Sequence, residues 1–412
     1  MHMKIVYRKP STKIYLSDIF LTLIVFVSMR LDSISYLIPQ SNFVTRQATN
    51  LLTYFVLGEI AFLIFFFIKN SFSPVMCFIL SFLGWYICTS VINGSAFFTA
   101  LTECAAPLSL ALISEYEMKR NPNRYLNVLQ NLFVVLLLID VITIILYPDG
   151  LYQSSLYTEN WFLGYKTARV RAVGLPAIMV AGINSLKERG ELTVKFSLIT
   201  ALVLCDTYLS GATAGLFALI FLALAIFLLF WFKKDILREK VKIILNPWIL
   251  LIILLIINLM FAVFQSFDIF EGFITNILGK DMTLTGRVSI WASSIMIFLS
   301  SPVIGKGYIS SNQYMALSGW VGGTQPHNLI LSILVYTGIV GAIIYATMTV
   351  YTIKRIEQKT PTMSSICILM FMANIVLGIT SITMFSQFSY ACLVIAYYLA
   401  GEKRNGSNEV YY

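Results

Sequence analysis

ATAGLFALIFLALAIFLLFWF, residues 212–232, carries no charged residue and no proline. A run of that length matches the ~20 residues an α-helix needs to cross the ~30 Å hydrocarbon core of a bilayer. Comparable apolar runs lie at 17–38, 48–68, 73–93, 97–115, 125–147, 172–186, 193–209, 243–263, 328–351, 364–384 and 385–400. Arg30 and Asp32 interrupt the first of them. The chain has 412 residues, of which 58% are hydrophobic and 12% charged, and its mean hydropathy is +0.81. Soluble chains carry roughly 25% charged residues, so lipid rather than a protein core must solvate much of this apolar surface. The expected fold is all-α: a polytopic integral membrane protein with about twelve transmembrane helices. No polar stretch is long enough for a separate globular unit, so residues 1–412 read as one membrane domain.

The formal net charge of +9 is a topology signal rather than a nucleic-acid footprint. With the N-terminus inside, alternation of the spans places most Lys and Arg in inner connections such as 116–124 and 233–242. It leaves Arg30, Arg46, Lys166, Arg169, Arg171, Lys280, Arg287 and Lys306 outside. That bias fits the positive-inside rule and sets both termini in the cytoplasm. The first apolar run lacks a small-residue cleavage site and reads as a retained anchor. All six cysteines (Cys77, Cys88, Cys104, Cys205, Cys367 and Cys392) fall inside expected spans, where they act as small apolar residues.

Two outer connections are long. One holds DGLYQSSLYTENWFLGYKTARVR, residues 149–171; the other runs from about 264 to 327. Long loops in a compact protein are functional or disordered, and the aromatic and Gly content of this pair favours order. Within the larger one, Arg287 to Leu299 is too short to span a bilayer and is bounded by Gly286 and Pro302. It reads as a short interfacial or re-entrant helix, with Arg287 and Trp291 four apart on one face where they can stack.

These outer loops carry the chemistry-bearing residues. His2 is at the cytoplasmic tip; His327, in PHNLIL, stands where the chain re-enters the membrane. An imidazole there is the outer face's one side chain suited to accept a proton near neutral pH, although a lone His is also often just a satisfied polar group. Arg169, Arg171 and Arg287 run against the charge trend. They are either snorkelling anchors to lipid headgroups or guanidiniums that clamp the phosphates of a lipid-linked diphosphate. No paired Asp-x-Asp appears among the outer acids Asp149, Glu159, Asp268, Glu271 and Asp281, so no metal site is expected. There is no Gly-x-Ser-x-Gly, no outer cysteine and no nucleotide-type glycine loop. The intramembrane acids Glu59, Asp140 and Asp206 mark either an ion path or a polar pair that joins helices.

Taken together, the motifs resemble those of the O-antigen ligase and polysaccharide polymerase family of bacterial membranes. The resemblance is strongest over 283–345. It comprises Gly286, Arg287 and Trp291 in TGRVSIW; Pro302, Gly305 and Gly307 in SPVIGKG; His327 and Asn328 in PHN; and Gly338 and Gly341 in TGIVG. Looser matches are Arg171, Gly174 and Leu175 in RAVGL, and the Ser210–Gly211 turn in LSGATAGL. The chain departs from the family pattern in lacking a Pro-Asn pair after RAVGL and an arginine after the Ser-Gly turn.

The resemblance implies a metal-independent, inverting glycosyltransferase in the bacterial plasma (inner) membrane, with its active site on the outer face. Its substrates would be undecaprenyl-diphosphate-linked oligosaccharides; that lipid carries the substrate, and no cofactor is implied. Arg287 and Arg171 would neutralise the donor diphosphate, with Arg169 in support. His327 would take the proton of the attacking sugar hydroxyl. Asn328 would orient His327 or cap the following helix, and Trp291 would support Arg287. The leading expectation is a polymerase of capsule or O-antigen repeats, working beside a flippase and a chain-length regulator. A ligase with the same donor chemistry is the alternative. From a different class, a polysaccharide flippase or ion-coupled exporter would instead depend on Glu59 or Asp140.

Overall fold

The computed structural model describes residues 15–37, 43–154, 159–231, 245–262, 287–319, 323–357 and 362–401. Helices make up nearly all of this, and no strand occurs among the described residues. In chain order they are α1 Leu16–Ser28, α2 Asp32–Leu37, α3 Phe43–Asn70, α4 Pro74–Ile92, α5 Phe97–Arg120 and α6 Pro122–Leu146. Next come α7 Lys166–Arg169, a π-helical turn over Val170–Gly174, α8 Leu175–Arg189, α9 Val194–Leu209, α10 Thr213–Trp231 and α11 Pro247–Ala262. The last of the described helices are α12 Arg287–Leu299, α13 Ser311–Ser318, α14 Leu329–Glu357, α15 Thr362–Gly378 and α16 Ser389–Gly401.

By length and composition, six helices among the described residues suffice to cross a bilayer, within α3, α4, α5, α6, α10 and α14. Shorter apolar helices accompany them, α1, α11, α12, α15 and α16. The burial pattern is that of a multi-pass membrane protein. Large apolar side chains such as Phe62, Phe65 and Ile68 face outward, while Asp140, Arg169 and Asp206 are buried. In water such an arrangement would waste the apolar surface; in lipid it is the stable one.

Local signals set the helix ends. Pro74 and Pro122 sit in the first turns of α4 and α6, where proline's missing N–H costs nothing. Ser73 and Asn121 cap those helices through Met76 and Arg124. The interior is built around α16, whose side chains are nearly all buried and which packs on α5, α15, α14 and α4. The free cysteines all lie within helices, as expected.

Each run expected to span the membrane overlaps a helix, with three corrections. The first is divided at Arg30, whose φ of 48° is left-handed; its guanidinium donates to the Thr102 carbonyl. The run expected over 172–186 begins earlier, at Lys166, because a π-helical turn joins α7 to α8. Most consequentially, the helix expected over 364–384 stops at Gly378, and residues 379–388 are irregular and largely buried. At its end Gly378 packs closely on α14 and on the turn that follows: a Cβ there would lie 2.8 Å from Leu329 Cβ and 2.7 Å from Thr383 Oγ1.

In the 264–327 connection, residues 263–286 and 320–322 lie outside the described residues, including Gly286, Lys280, Asp268, Glu271 and Asp281. The helix from Arg287 to Leu299 is present as expected, and α13 is an addition to it.

Candidate functional site

The glycines of SPVIGKG and TGIVG explain how this connection is held. Gly338 breaks α14 with φ 63° and ψ −166°. Across the break, residues 302–307 run against the helix: Ile339 N–H donates to Pro302 O at 2.9 Å, and Lys306 N–H to Val335 O at 2.8 Å. A Cβ on Gly338 would stand 2.3 Å from the Val303 carbonyl oxygen, and one on Gly305 2.5 Å from Gly338 N. Gly307 lies as close to the Ser90 backbone of α4. Only glycine permits these approaches. They fix the segment that begins at α12 against α4 and α14, and so fix the ends that carry Arg287 and His327.

The structure holds a cavity of about 420 Å³. His327, Arg287 and Arg171 are all on its wall. They reach it from three distant parts of the chain: the start of α14, the first residue of α12 and the π-turn. Lys166, which is paired with Glu159 at 2.6 Å, and Asp32 line it too, so the wall carries three cations and one carboxylate. Tyr36 and Tyr152, stacked at 4.9 Å with ring planes 19° apart, close one side. Gly211 and Thr380–Ile382 complete other walls. The wall is thus assembled from segments far apart in the chain, around α2, 152–171, 211–214, the start of α12, 325–327 and 380–382.

Each key group has a physical mount. His327 adopts φ 49°, rare for a non-glycine residue and a mark of a position held by its surroundings. Its neighbour Asn328 is the cap of α14: its Oδ1 accepts from Leu331 N–H at 3.0 Å. The Asn328 amide donates to Asn258 Oδ1 at 2.8 Å and to Ile379 O at 3.1 Å, tying α14 to α11 and to the 379–388 segment. Burial, and then the Arg287 charge, lower the His327 pKa to about 4, so its imidazole is neutral at physiological pH. Arg171 donates to the Ile382 carbonyl, and its own carbonyl accepts from Ser386 Oγ at 3.4 Å. The irregular 379–388 segment is therefore the cradle of Arg171, and its residues Thr380–Ile382 border the cavity. Trp291, one turn after Arg287, is fully buried and anchors α12 rather than lining the cavity.

Arg169 belongs elsewhere. The expectation placed it beside the diphosphate; the structure buries it, at 1% exposure, away from the cavity wall. Its guanidinium pairs with Asp140 at 2.9 Å and Asp206 at 3.6 Å, donates to Gly164 O at 3.1 Å and lies 4.8 Å from the Trp161 ring. Asp140 also accepts from Leu163 N–H at 2.8 Å. Of the two readings of these acids, the structure brings out the one that joins helices: α6, α9 and the 160–169 loop meet at one buried cation. Glu59 likewise accepts from Ser28 Oγ at 2.8 Å, joining α1 to α3. No local motif marks Lys166, Asp32 or the Tyr36–Tyr152 pair as belonging to one cavity.

Residues 198–346 match the family model of O-antigen ligase. The match is consistent with the O-antigen ligase and polymerase family, one of glycosyl-transferring enzymes in general. It runs from within α9 into α14 and so contains Arg287, His327 and the interlocking glycines, whereas Arg171, Asp32 and the 379–388 segment lie beyond it. No curated protein matches the chain. No solved structure matches it either.

Proposed function

We propose that this chain is a polymerase of undecaprenyl-diphosphate-linked oligosaccharide repeats, acting at the outer face of a bacterial plasma membrane as part of capsule or O-antigen synthesis. The observation that carries the reading is the convergence of Arg171, Arg287 and His327 on one cationic cavity. Guanidinium groups suit phosphate because their donors match two oxygens at once. In a partly desolvated cavity that charge pairing is stronger than in water.

The step is an inverting displacement. The acceptor hydroxyl oxygen forms a bond to the anomeric carbon of the donor sugar. The bond from that carbon to the diphosphate oxygen breaks, and its electron pair leaves with undecaprenyl diphosphate. His327 takes the hydroxyl proton; Arg171 and Arg287 hold the departing charge, with Lys166 adding to the field. These residues supply the acid–base and electrostatic elements without a metal. Twelve spans and cytoplasmic termini complete the reading, since they put the cavity opposite the Lys- and Arg-rich connections.

The description of the matched family keeps a second reading open, a ligase with the same donor chemistry. Complementation of polymer-deficient cells with His327→Ala, Arg287→Ala, Arg171→Ala and Glu59→Ala separates the possibilities. A polymerase predicts single lipid-linked repeats with the first three variants and near-normal polymer with the last. A ligase predicts long polymer left on its lipid carrier. A flippase or exporter predicts the reverse dependence, on Glu59 rather than His327. Long transferred polymer from His327→Ala overturns the base assignment, and loss of turnover by the purified protein in EDTA overturns metal independence.

A further inference from the structure

Beside the main cavity is a second, smaller one of about 170 Å³. The two share Gln325 and Ile382 on their walls, so they are neighbours across one layer of side chains. Their linings differ in kind. The larger presents three cations; the smaller presents one carboxylate, Glu103, among Tyr86, Tyr308, Tyr336 and Phe385, with hydroxyls from Ser310, Ser311 and Thr324.

The rings are held in place. Tyr86 packs on Phe385 at 4.8 Å and on Tyr336 edge-on at 6.5 Å. Tyr308 is fixed at its backbone: its N–H donates to Ser90 Oγ at 2.8 Å, and its carbonyl accepts from Ser95 Oγ at 3.0 Å. Glu103 has a counter-charge in Arg30, bound at the adjacent Thr102 carbonyl. A pocket that sets aromatic faces against one carboxyl group and hydroxyls, with no Lys or Arg on its wall, offers an anion no counter-charge. One carboxylate is too few ligands to hold a divalent cation. A neutral ring with an apolar C–H face and a rim of hydroxyls fits both elements, and an ionised carboxylate is acceptor-only, suited to hydroxyl donors.

We propose that the smaller cavity is the acceptor-sugar subsite: Glu103 accepts hydrogen bonds from hydroxyls of the acceptor ring, Tyr308 and its neighbours cover the ring's apolar face, and the attacking hydroxyl emerges past Gln325 towards His327. The volume lies below the ~300–1,000 Å³ of a whole-ligand pocket, so it holds one terminal sugar while the rest of the acceptor stays outside. The assignment rests on the donor reading of the larger cavity.

The test uses the purified full chain in lipid nanodiscs and two probes. Saturation-transfer NMR measures binding of a panel of neutral and N-acetylated methyl glycosides, and a separate titration measures undecaprenyl diphosphate. The expected result is glycoside binding that weakens by about tenfold or more in Glu103→Gln and in Tyr308→Ala, survives in Tyr308→Phe, and is untouched by Arg287→Ala. Unchanged undecaprenyl diphosphate binding in the Glu103 and Tyr308 variants shows that they are folded. Failure of the native protein to bind any of the glycosides overturns the subsite. So does binding that ignores Glu103 and Tyr308, or binding that undecaprenyl diphosphate displaces and Arg287→Ala abolishes. Glycoside binding that behaves as expected in a protein with no affinity for undecaprenyl diphosphate instead overturns the donor reading alone.

Discussion

Arg169 and Arg171 stand two residues apart, carry the same charge and meet opposite fates. Arg169 is sealed among Asp140, Asp206 and Trp161; Arg171 looks into the cavity and is steadied by the Ile382 carbonyl. Two residues along a helix turn a side chain by roughly 200°, on to the opposite face. The π-turn that begins at Val170 sets which face each receives, and π-turns are frequent at functional sites. One guanidinium therefore holds the scaffold and the other faces the cavity. Equal charge and near-equal position say little about role until burial is known.

The contrast can be broken or sharpened by experiment. The largest effect is expected on the cavity side. His327→Ala should lower kcat by ~10²–10⁴-fold, the usual worth of a general base, with the protein still inserted and still binding undecaprenyl diphosphate; near-native turnover would remove His327 from the chemistry. On the scaffold side, Arg169→Ala strands two buried carboxylates and should destabilise by about 3–5 kcal/mol, seen as lost folded yield and a lowered Tm. Adding Asp140→Asn and Asp206→Asn to that variant should restore much of the yield, and no recovery would mean that Arg169 does more than neutralise them.

A milder change is expected from Arg171→Lys. It keeps the charge but loses the planar fork, so undecaprenyl diphosphate should bind roughly tenfold more weakly at unchanged Tm. A lowered Tm would instead put Arg171 with Arg169 in the scaffold. The smallest effect concerns pH. Burial and the Arg287 cation disfavour the imidazolium of His327, so the acidic limb of kcat/KM should fall near its lowered pKa of about 4. Arg287→Gln removes a like charge, makes protonation easier and should move the limb to higher pH; a limb that stays put would show that Arg287 does not act on His327.

Much of the fold was legible in the sequence because lipid imposes a simple rule: each run of apolar residues must satisfy its own backbone as a helix. The break at Arg30 and the helix from Arg287 to Leu299 could be read from charge and from bounding Gly and Pro. The helix end at Gly378 could not. Residues 379–388 are apolar enough to continue α15, and the contacts the segment makes instead, with Arg171 and Asn328, are non-local. The site was legible in part, since Arg171, Arg287 and His327 stand in recognisable motifs. The burial of Arg169 was not legible because its partners Asp140 and Asp206 come from other helices. Asp32, Lys166 and Glu103 carry no local signature.

By itself, the sequence determined that the chain is helical and suited to lipid, and which motifs carry its chemistry-bearing residues, because hydropathy and special residues such as glycine act locally. Only the tertiary structure decided which charged side chains meet each other and which meet the cavity. That choice depends on contacts between segments far apart in the chain, where packing and desolvation set the energy of a charge.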